Sequence, residues 1–126
     1  MRAAILLLAL TAALPARAAD WSCTAHEQCR AGDGCSDIDP EGEAPLRLRI
    51  AEDGQTATFG DGSLSLQMTL ISESALGRTF LAEQPGQGIG LFTLRGDGSV
   101  IASSHEMSGD EVFGLVTLAT CTAEAG

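Results

Sequence analysis

The sequence predicts an all-β protein: an antiparallel meander of about seven short strands, closed or partly closed into a small barrel and held by two disulfides. Three observations predict it. Apolar residues recur at every second position from Leu46 onward, Asp-Gly pairs interrupt this pattern, and the cysteines number four. A β-sandwich is the alternative, because closure and face-to-face packing both protect the edges of such a sheet.

The clearest strand is Ser63–Ile71, in which Leu64, Leu66, Met68 and Leu70 point to one face and polar residues to the other. The other predicted strands are Leu46–Ile50, Thr56–Phe59, Arg78–Glu83, Phe92–Arg95, Ser99–His105 and Val112–Cys121. The last of these, Val112–Cys121, is apolar on both faces, so we expect it to be central or covered.

The connections between these strands contain Asp-Gly pairs at 53–54, 61–62 and 97–98. Such pairs favour the positive φ angles of two-residue primed turns, so we expect tight hairpins at these positions. Two of the pairs stand in the same Gly-Asp-Gly-Ser context. The flanking strands share a pattern but little identity, which favours one turn sequence used twice over a duplication.

The first residues have the features of a cleavable signal peptide. Arg2 is followed by the apolar stretch Ala3–Leu14, which is too short to span a bilayer, and Ala16-Arg17-Ala18 places small residues before a cleavage site. We predict that residues 1–18 are removed after Ala18. The remaining 108 residues suit a single soluble domain that is periplasmic or secreted.

The formal net charge of the chain is −10, and cleavage would make it −12 because it removes two arginines and no acidic residue. An excess of negative charge repels phosphate backbones and anionic lipid headgroups. The composition therefore argues against nucleic-acid or membrane-surface binding. It would favour a cationic protein partner, and the alternative, which charge alone favours more, is that it serves only the solubility of an exported protein.

Four cysteines in an exported chain predict two disulfides, for which the sequence permits three pairings. We favour Cys29 with Cys35, which closes a short glycine-containing loop. The second pair is then Cys23 with Cys121, which ties the first ordered segment to the last strand.

The segment 19–45 is rich in cysteine and acidic residues, and it lacks periodicity. We expect Cys23–Pro45 to form a disulfide-pinned loop or a single helical turn over one end of the sheet. With the meander at 46–126 it would form one domain.

The acidic loop 37–43 offers a weak candidate metal site at Asp37, Asp39 and Glu41, spaced like the start of an EF-hand loop. The twelfth position of that loop is Leu48, which supplies no ligand. His26 lies between two cysteines, but paired zinc-ligand spacings are absent and a disulfide would consume the thiols. No cofactor is predicted.

The second histidine, His105, follows Ser103 and Ser104 and precedes Glu106. Adjacent residues of a strand point to opposite faces, so these residues cannot form a catalytic relay among themselves. The sequence also lacks a Gly-x-Ser-x-Gly motif. We therefore expect a protein that is not an enzyme.

In export, size, cysteine use and negative charge the chain is similar to the small exported inhibitors of c-type lysozyme from Gram-negative envelopes. The resemblance implies a compact disulfide-bearing barrel whose loops bind a cationic enzyme. The inhibitory loops of that family include a tyrosine, and this chain has none. No functional residue is therefore carried over.

Taken together, these observations predict a non-catalytic binding module or inhibitor of the cell envelope, with a protein partner engaged by loops at one end of the sheet. The alternative is a metal or small-ligand carrier that uses the acidic loop 37–43, His26 or His105.

Overall fold

A computed structural model of the chain describes residues 18–42, 45–62 and 65–125. The segment 1–17 lies outside the described residues, so the signal peptide and its cleavage site stay predictions. The described residues form nine strands and a 3₁₀ turn at Pro40–Gly42. The strands are β1 (Ala19–Arg30), β2 (Gly34–Asp37), β3 (Leu46–Ile50), β4 (Thr56–Gly60), β5 (Ser65–Ser74), β6 (Gly77–Gln84), β7 (Gly88–Arg95), β8 (Ser99–Ser108) and β9 (Glu111–Ala123).

The sheet is a closed barrel of eight antiparallel strands. Strands β3 to β9 pair in sequence order, and β1 lies between β3 and β9 and closes the ring. The short β2 is an extra strand, paired with the end of β1 beyond β3. The predicted all-β barrel is confirmed, and the alternative of a sandwich is wrong because no edge remains open between β1 and β9.

The seven strands predicted from period-two patterns correspond to β3 to β9. The strand expected to be central, β9, does lie between β8 and β1. Its inner face is in the barrel, whereas Val112, Val116 and Leu118 on its outer face remain exposed.

The segment Cys23–Pro45 differs from the expected loop, because most of it is β-structure that closes the barrel. Its 3₁₀ turn is short, and β1 pairs with β9 along most of its length. Ala25 lies opposite Ala119 and Glu27 opposite Leu118, so His26 is the extra residue of a β-bulge. Because the bulge interrupts the period-two pattern, this strand was not predicted from the sequence.

The turn glycines are confirmed, but the predicted turn type is wrong. Gly54, Gly62 and Gly98 have φ angles of 71°, 95° and 88°, whereas none of the preceding aspartates has a positive φ. A primed turn would require positive φ at both central residues. Gly54 and Gly98 instead donate backbone hydrogen bonds to the residue three positions earlier, as in a type I turn followed by a left-handed glycine.

The hydrophobic core lies inside the barrel. Its largest fully buried side chains are Leu48, Ile50 and Phe80, and the Cys23–Cys121 disulfide is buried with them. These residues occupy alternate positions of their strands, so the opposite faces point to solvent. The core is small, as expected for a chain with four phenylalanines and one tryptophan.

The predicted disulfide pairing is confirmed. Cys23 lies directly opposite Cys121, and Cys29 opposite Cys35, so both bonds join neighbouring strands. Two disulfides indicate an oxidising, non-cytoplasmic compartment. No helix within the described residues is long and apolar enough to cross a membrane.

Candidate binding site

Strands β3 to β9 alternate in direction, so their connections alternate between the two ends of the barrel. One end, here called the acidic end, carries the described connection residues 31–33, 61–62, 85–87 and 109–110. Strands β2 and β3 both run antiparallel to β1, and the described residues 38–42 and 45 between them lead to the start of β3 at this end. The opposite end carries the connections 51–55, 75–76 and 96–98. Ile50, one of the large core residues, is the last residue of β3 and adjoins this opposite end.

The barrel is partly hollow beside β1, β8 and β9, because several side chains on its inner wall are small or polar there. The register places Ala102 opposite Thr117, and Ala25 opposite Ala119. A cavity of about 610 Å³ lies in this region. Its volume falls within the range of roughly 300–1,000 Å³ that is typical of small-molecule sites.

The wall of this cavity, here called the lumen cavity, is largely apolar. Phe59 and Phe92 meet with ring centroids 4.9 Å apart, and Val100 and Ala119 extend the apolar surface. The segment between β2 and β3 also contributes to the wall. From that segment the lining residues are Ile38, Pro40 and Pro45.

The polar groups of the lumen cavity lie on β1 and β9. Gln28 Nε2 donates a hydrogen bond of 3.4 Å to Thr117 Oγ1. The Gln28 side chain is exposed, so this pair lies where water reaches the cavity. None of the described residues that line the cavity carries a charge.

Carboxylates surround the acidic end. Two described arginines adjoin this end. Arg30 lies 3.5 Å from Asp33 and 4.6 Å over the Phe113 ring, and Arg47 lies opposite Gly60 near the start of β3. The acidic side chains in its connections and adjoining strand ends are Asp33, Asp37, Asp39, Glu41, Asp61, Glu83, Glu106, Asp110 and Glu111.

The other three described arginines lie away from this end. Among them Arg49 pairs with Asp20 at 3.4 Å, whereas Arg47, which adjoins the acidic end, pairs with Glu124 at 3.9 Å. Arg78 and Arg95 lie on the parts of β6 and β7 that adjoin the opposite end. Negative charge is therefore concentrated at one end of the molecule.

The candidate metal ligands Asp37, Asp39 and Glu41 are exposed side chains at the acidic end. Asp39 Oδ1 accepts a hydrogen bond from the backbone N–H of Glu41, which is a turn-forming contact. Glu43, the last carboxylate of the loop, lies outside the described residues. Among the described residues, Asp37, Asp39 and Glu41 do not form a cluster of potential metal ligands.

One cluster of three potential metal ligands does occur among the described residues, and it comprises Glu27, Cys29 and Cys35. Both cysteines are joined in a disulfide, so neither offers the thiolate that binds zinc or copper. The cluster is therefore not a metal site in the oxidised protein.

The two histidines lie on separate strands, and neither lines the lumen cavity. His26, the bulge residue of β1, has Nε2 2.8 Å from the hydroxyl of Thr120 and is exposed. His105 is exposed on the outer face of β8, between Ile89 and Gly114 of the neighbouring strands. The structure does not bring either histidine to the acidic loop.

A continuous apolar area, here called the outer apolar face, covers the outside of β7, β8 and β9. The register places Ile101 next to Leu118, and Leu91 and Val116 on either side of Ser103. Leu91, Ile101, Val116 and Leu118 each retain between 37% and 45% of their exposure. The sequence signal for this face was that apolar residues occupy both odd and even positions of β9.

Sequence reasoning missed the lumen cavity and its residues Gln28, Phe59, Phe92 and Thr117. A partial signal exists, because Ala102 and Ala119 are small residues at inward positions of predicted strands. Only the closed register shows that they face the same space. No protein-family model matches this chain, and neither curated proteins nor solved structures match it significantly.

Proposed function

We propose that the protein is a non-catalytic binding module of the periplasm or the extracellular space, and that its acidic end engages a cationic protein partner. The observation that carries the proposal is the separation of charge along the barrel. Nine described acidic side chains lie at or beside the acidic end, whereas only Arg30 and Arg47 adjoin it and each of them is paired with a carboxylate.

Concentrated negative charge on connections around an open barrel end attracts a basic surface before contact is made. Such long-range attraction raises association rates, and complementary contacts then set specificity. The individual charges are exposed, so each contributes little to the stability of the fold. Their shared position supports a role in recognition.

Connections held by a closed barrel suit this role because the scaffold limits their movement. The Cys29–Cys35 disulfide pins β2 to β1 beside the 31–33 connection. The acidic connections are thereby presented on a framework that loses little conformational freedom on binding. The resemblance to lysozyme inhibitors adds c-type lysozyme as a cationic protein to test.

The proposal is tested by retention of periplasmic proteins on the immobilised, oxidised protein. We expect basic proteins to be retained at low salt and released at about 0.5 M NaCl, where the screening length is only a few ångströms. The double substitution Asp110→Asn/Glu111→Gln should weaken binding about threefold to tenfold, a loss of up to roughly 1 kcal/mol.

The matched control is Glu52→Gln/Glu73→Gln, which removes the same charge from the opposite end and should leave retention within about twofold. Equal weakening by both double variants would show that net charge alone is responsible. It would contradict a binding site at the acidic end. Unchanged lysozyme activity in the presence of excess protein would exclude the inhibitor form of the proposal.

A further inference from the structure

We propose that the lumen cavity is a binding site for a small, uncharged molecule with an apolar body and one hydrogen-bonding group. This site is distinct from the acidic connections and goes beyond the proposed partner binding. It rests on the size of the cavity, its composition and the position of its polar groups.

The cavity exists because residues on one stretch of the inner wall are too small to fill the barrel. An eight-stranded barrel is just wide enough either to be filled by its own side chains or to hold one small ligand. Here the small side chains of Ala25, Ala102 and Ala119 line the cavity, next to a core that is filled by larger side chains such as Leu48 and Phe80. A hollow of about 610 Å³ leaves its apolar walls without packing partners.

The apolar walls of the cavity favour a ligand with an apolar body. Phe59 and Phe92 form a tilted aromatic pair, and Val100 lies among the residues that line the same space. Removing an apolar molecule from water against such a surface contributes about 25 cal/mol for each Å² buried. An aliphatic or aromatic body fits this surface better than a polar one.

The absence of charge among the described lining residues selects an uncharged ligand. A buried ion would lose its hydration without gaining a partner of opposite charge, which is costly. Gln28 and Thr117 instead offer an amide and a hydroxyl, 3.4 Å apart. Together they can donate to and accept from a hydroxyl, carbonyl or amide group.

The position of this polar pair sets the orientation of the ligand. Gln28 is exposed, whereas Phe92 and Val100 are buried. The hydrogen-bonding group of the ligand would therefore lie near the water-accessible side, and its apolar body would lie deeper in the barrel. This arrangement leaves no polar ligand atom without a partner.

The test uses N-phenyl-1-naphthylamine, an uncharged fluorescent molecule with one N–H group, and the purified oxidised protein. We expect saturable binding with one molecule per chain, and displacement by 1-decanol. Decanoate has the same chain length but a charge, and it should displace the probe at least about tenfold less effectively. Equal displacement by decanoate would overturn the uncharged ligand class.

Substitutions locate the binding site. Ala102→Leu fills the cavity and should weaken binding at least about tenfold. Thr117→Val removes the hydroxyl while keeping the shape, and it should weaken binding of 1-decanol about threefold to tenfold. The matched control Thr122→Val lies on the exposed outer side of the same strand and should change binding less than about twofold.

Trp21 is the single tryptophan, and its fluorescence reports whether each variant is folded. If Ala102→Leu fails to fold, the Thr117→Val and Thr122→Val pair decides the outcome alone. Absence of saturable binding, or binding that neither lumen substitution weakens, would overturn the proposal. The latter result would assign the probe to the outer apolar face, and it would leave the acidic-end proposal untouched.

Discussion

Gly62 and Gly98 occupy the same Gly-Asp-Gly-Ser sequence and the same left-handed backbone region, yet their surroundings differ. A Cβ atom added at Gly98 would lie 2.5 Å from the backbone oxygen of Cys121, whereas one added at Gly62 would meet nothing within 4 Å. The identical sequences therefore carry different structural demands. Only the pairing of β8 with β9 distinguishes them.

We predict that Gly98→Ala destabilises the protein more than Gly62→Ala. Both substitutions place a side chain in the left-handed region, at a cost of about 1–3 kcal/mol. Gly98→Ala also forces the backbone away from Cys121, which adds roughly 1–3 kcal/mol. Chemical denaturation followed by Trp21 fluorescence measures the difference, and equal losses would contradict the close approach.

The Asp97 side chain accepts hydrogen bonds in the turn that contains Gly98. Its Oδ1 accepts hydrogen bonds from the hydroxyl of Ser99 at 2.6 Å and from the backbone N–H of Ser99 at 2.9 Å. These bonds, chiefly the one from the hydroxyl, hold the pKa of Asp97 below its ordinary value, and Arg95 contributes in the same direction. The carboxylate form is thus favoured in the folded state.

We predict that the destabilising effect of Asp97→Asn depends on pH. Because the native pKa lies below the unfolded value, the carboxylate contributes its stability above the unfolded pKa and loses it as pH falls through the native pKa. The free energies of unfolding of the two proteins should therefore differ near neutrality and converge in acid. The difference should shrink in a Ser99→Ala background, and a gap that stays constant with pH would contradict this role.

Strand β1 shows how a single extra residue can hide an element from sequence analysis. Trp21, Cys23 and Ala25 alternate as a strand should, but His26 is a bulge and the alternation resumes one position later. Strand β5, by contrast, has Leu66, Met68 and Leu70 in uninterrupted alternation and was predicted directly. Its own bulge falls after Leu70, beyond the residues that defined the pattern.

The two disulfides both anchor β1, but they close loops of very different length. Cys23 and Cys121 are 98 positions apart, and Cys29 and Cys35 are six apart. A cross-link restricts the unfolded chain more when the loop is longer. The first bond therefore joins the first strand, β1, to the last strand, β9, whereas the second joins only β1 to the neighbouring β2.

We predict that Cys23→Ala/Cys121→Ala destabilises the protein by about 4–5 kcal/mol and Cys29→Ala/Cys35→Ala by about 2 kcal/mol. Guanidinium denaturation of both variants gives the comparison, and the oxidised wild-type protein serves as the reference. A larger loss from the second pair would contradict the loop-length argument.

Across the whole molecule, acidic side chains gather at one end of the barrel, and the interior that contains the lumen cavity is uncharged among the described lining residues. Each proposal rests on one of these two features. Partner binding would use the charged connections and ligand binding the uncharged interior, so the two proposals can fail independently.

The sequence by itself determined the all-β class, strands β3 to β9 and the presence of two disulfides. These depend on local alternation, on turn glycines such as Gly54 and on an even number of cysteines, which can all be recognised without knowing what lies opposite. The pairing of the cysteines was favoured among three possibilities, and the structure decided it. The cationic partner, inferred from net charge, stays a prediction.

Only the tertiary structure decided how the barrel closes, where its charges gather and where it is hollow. Closure depends on β1, whose pattern is broken at His26. The acidic end joins residues as distant in sequence as Asp33 and Glu111, and the lumen cavity joins Gln28 with Thr117. Such features arise from strand register, which pairs residues across the chain and leaves little trace in local sequence.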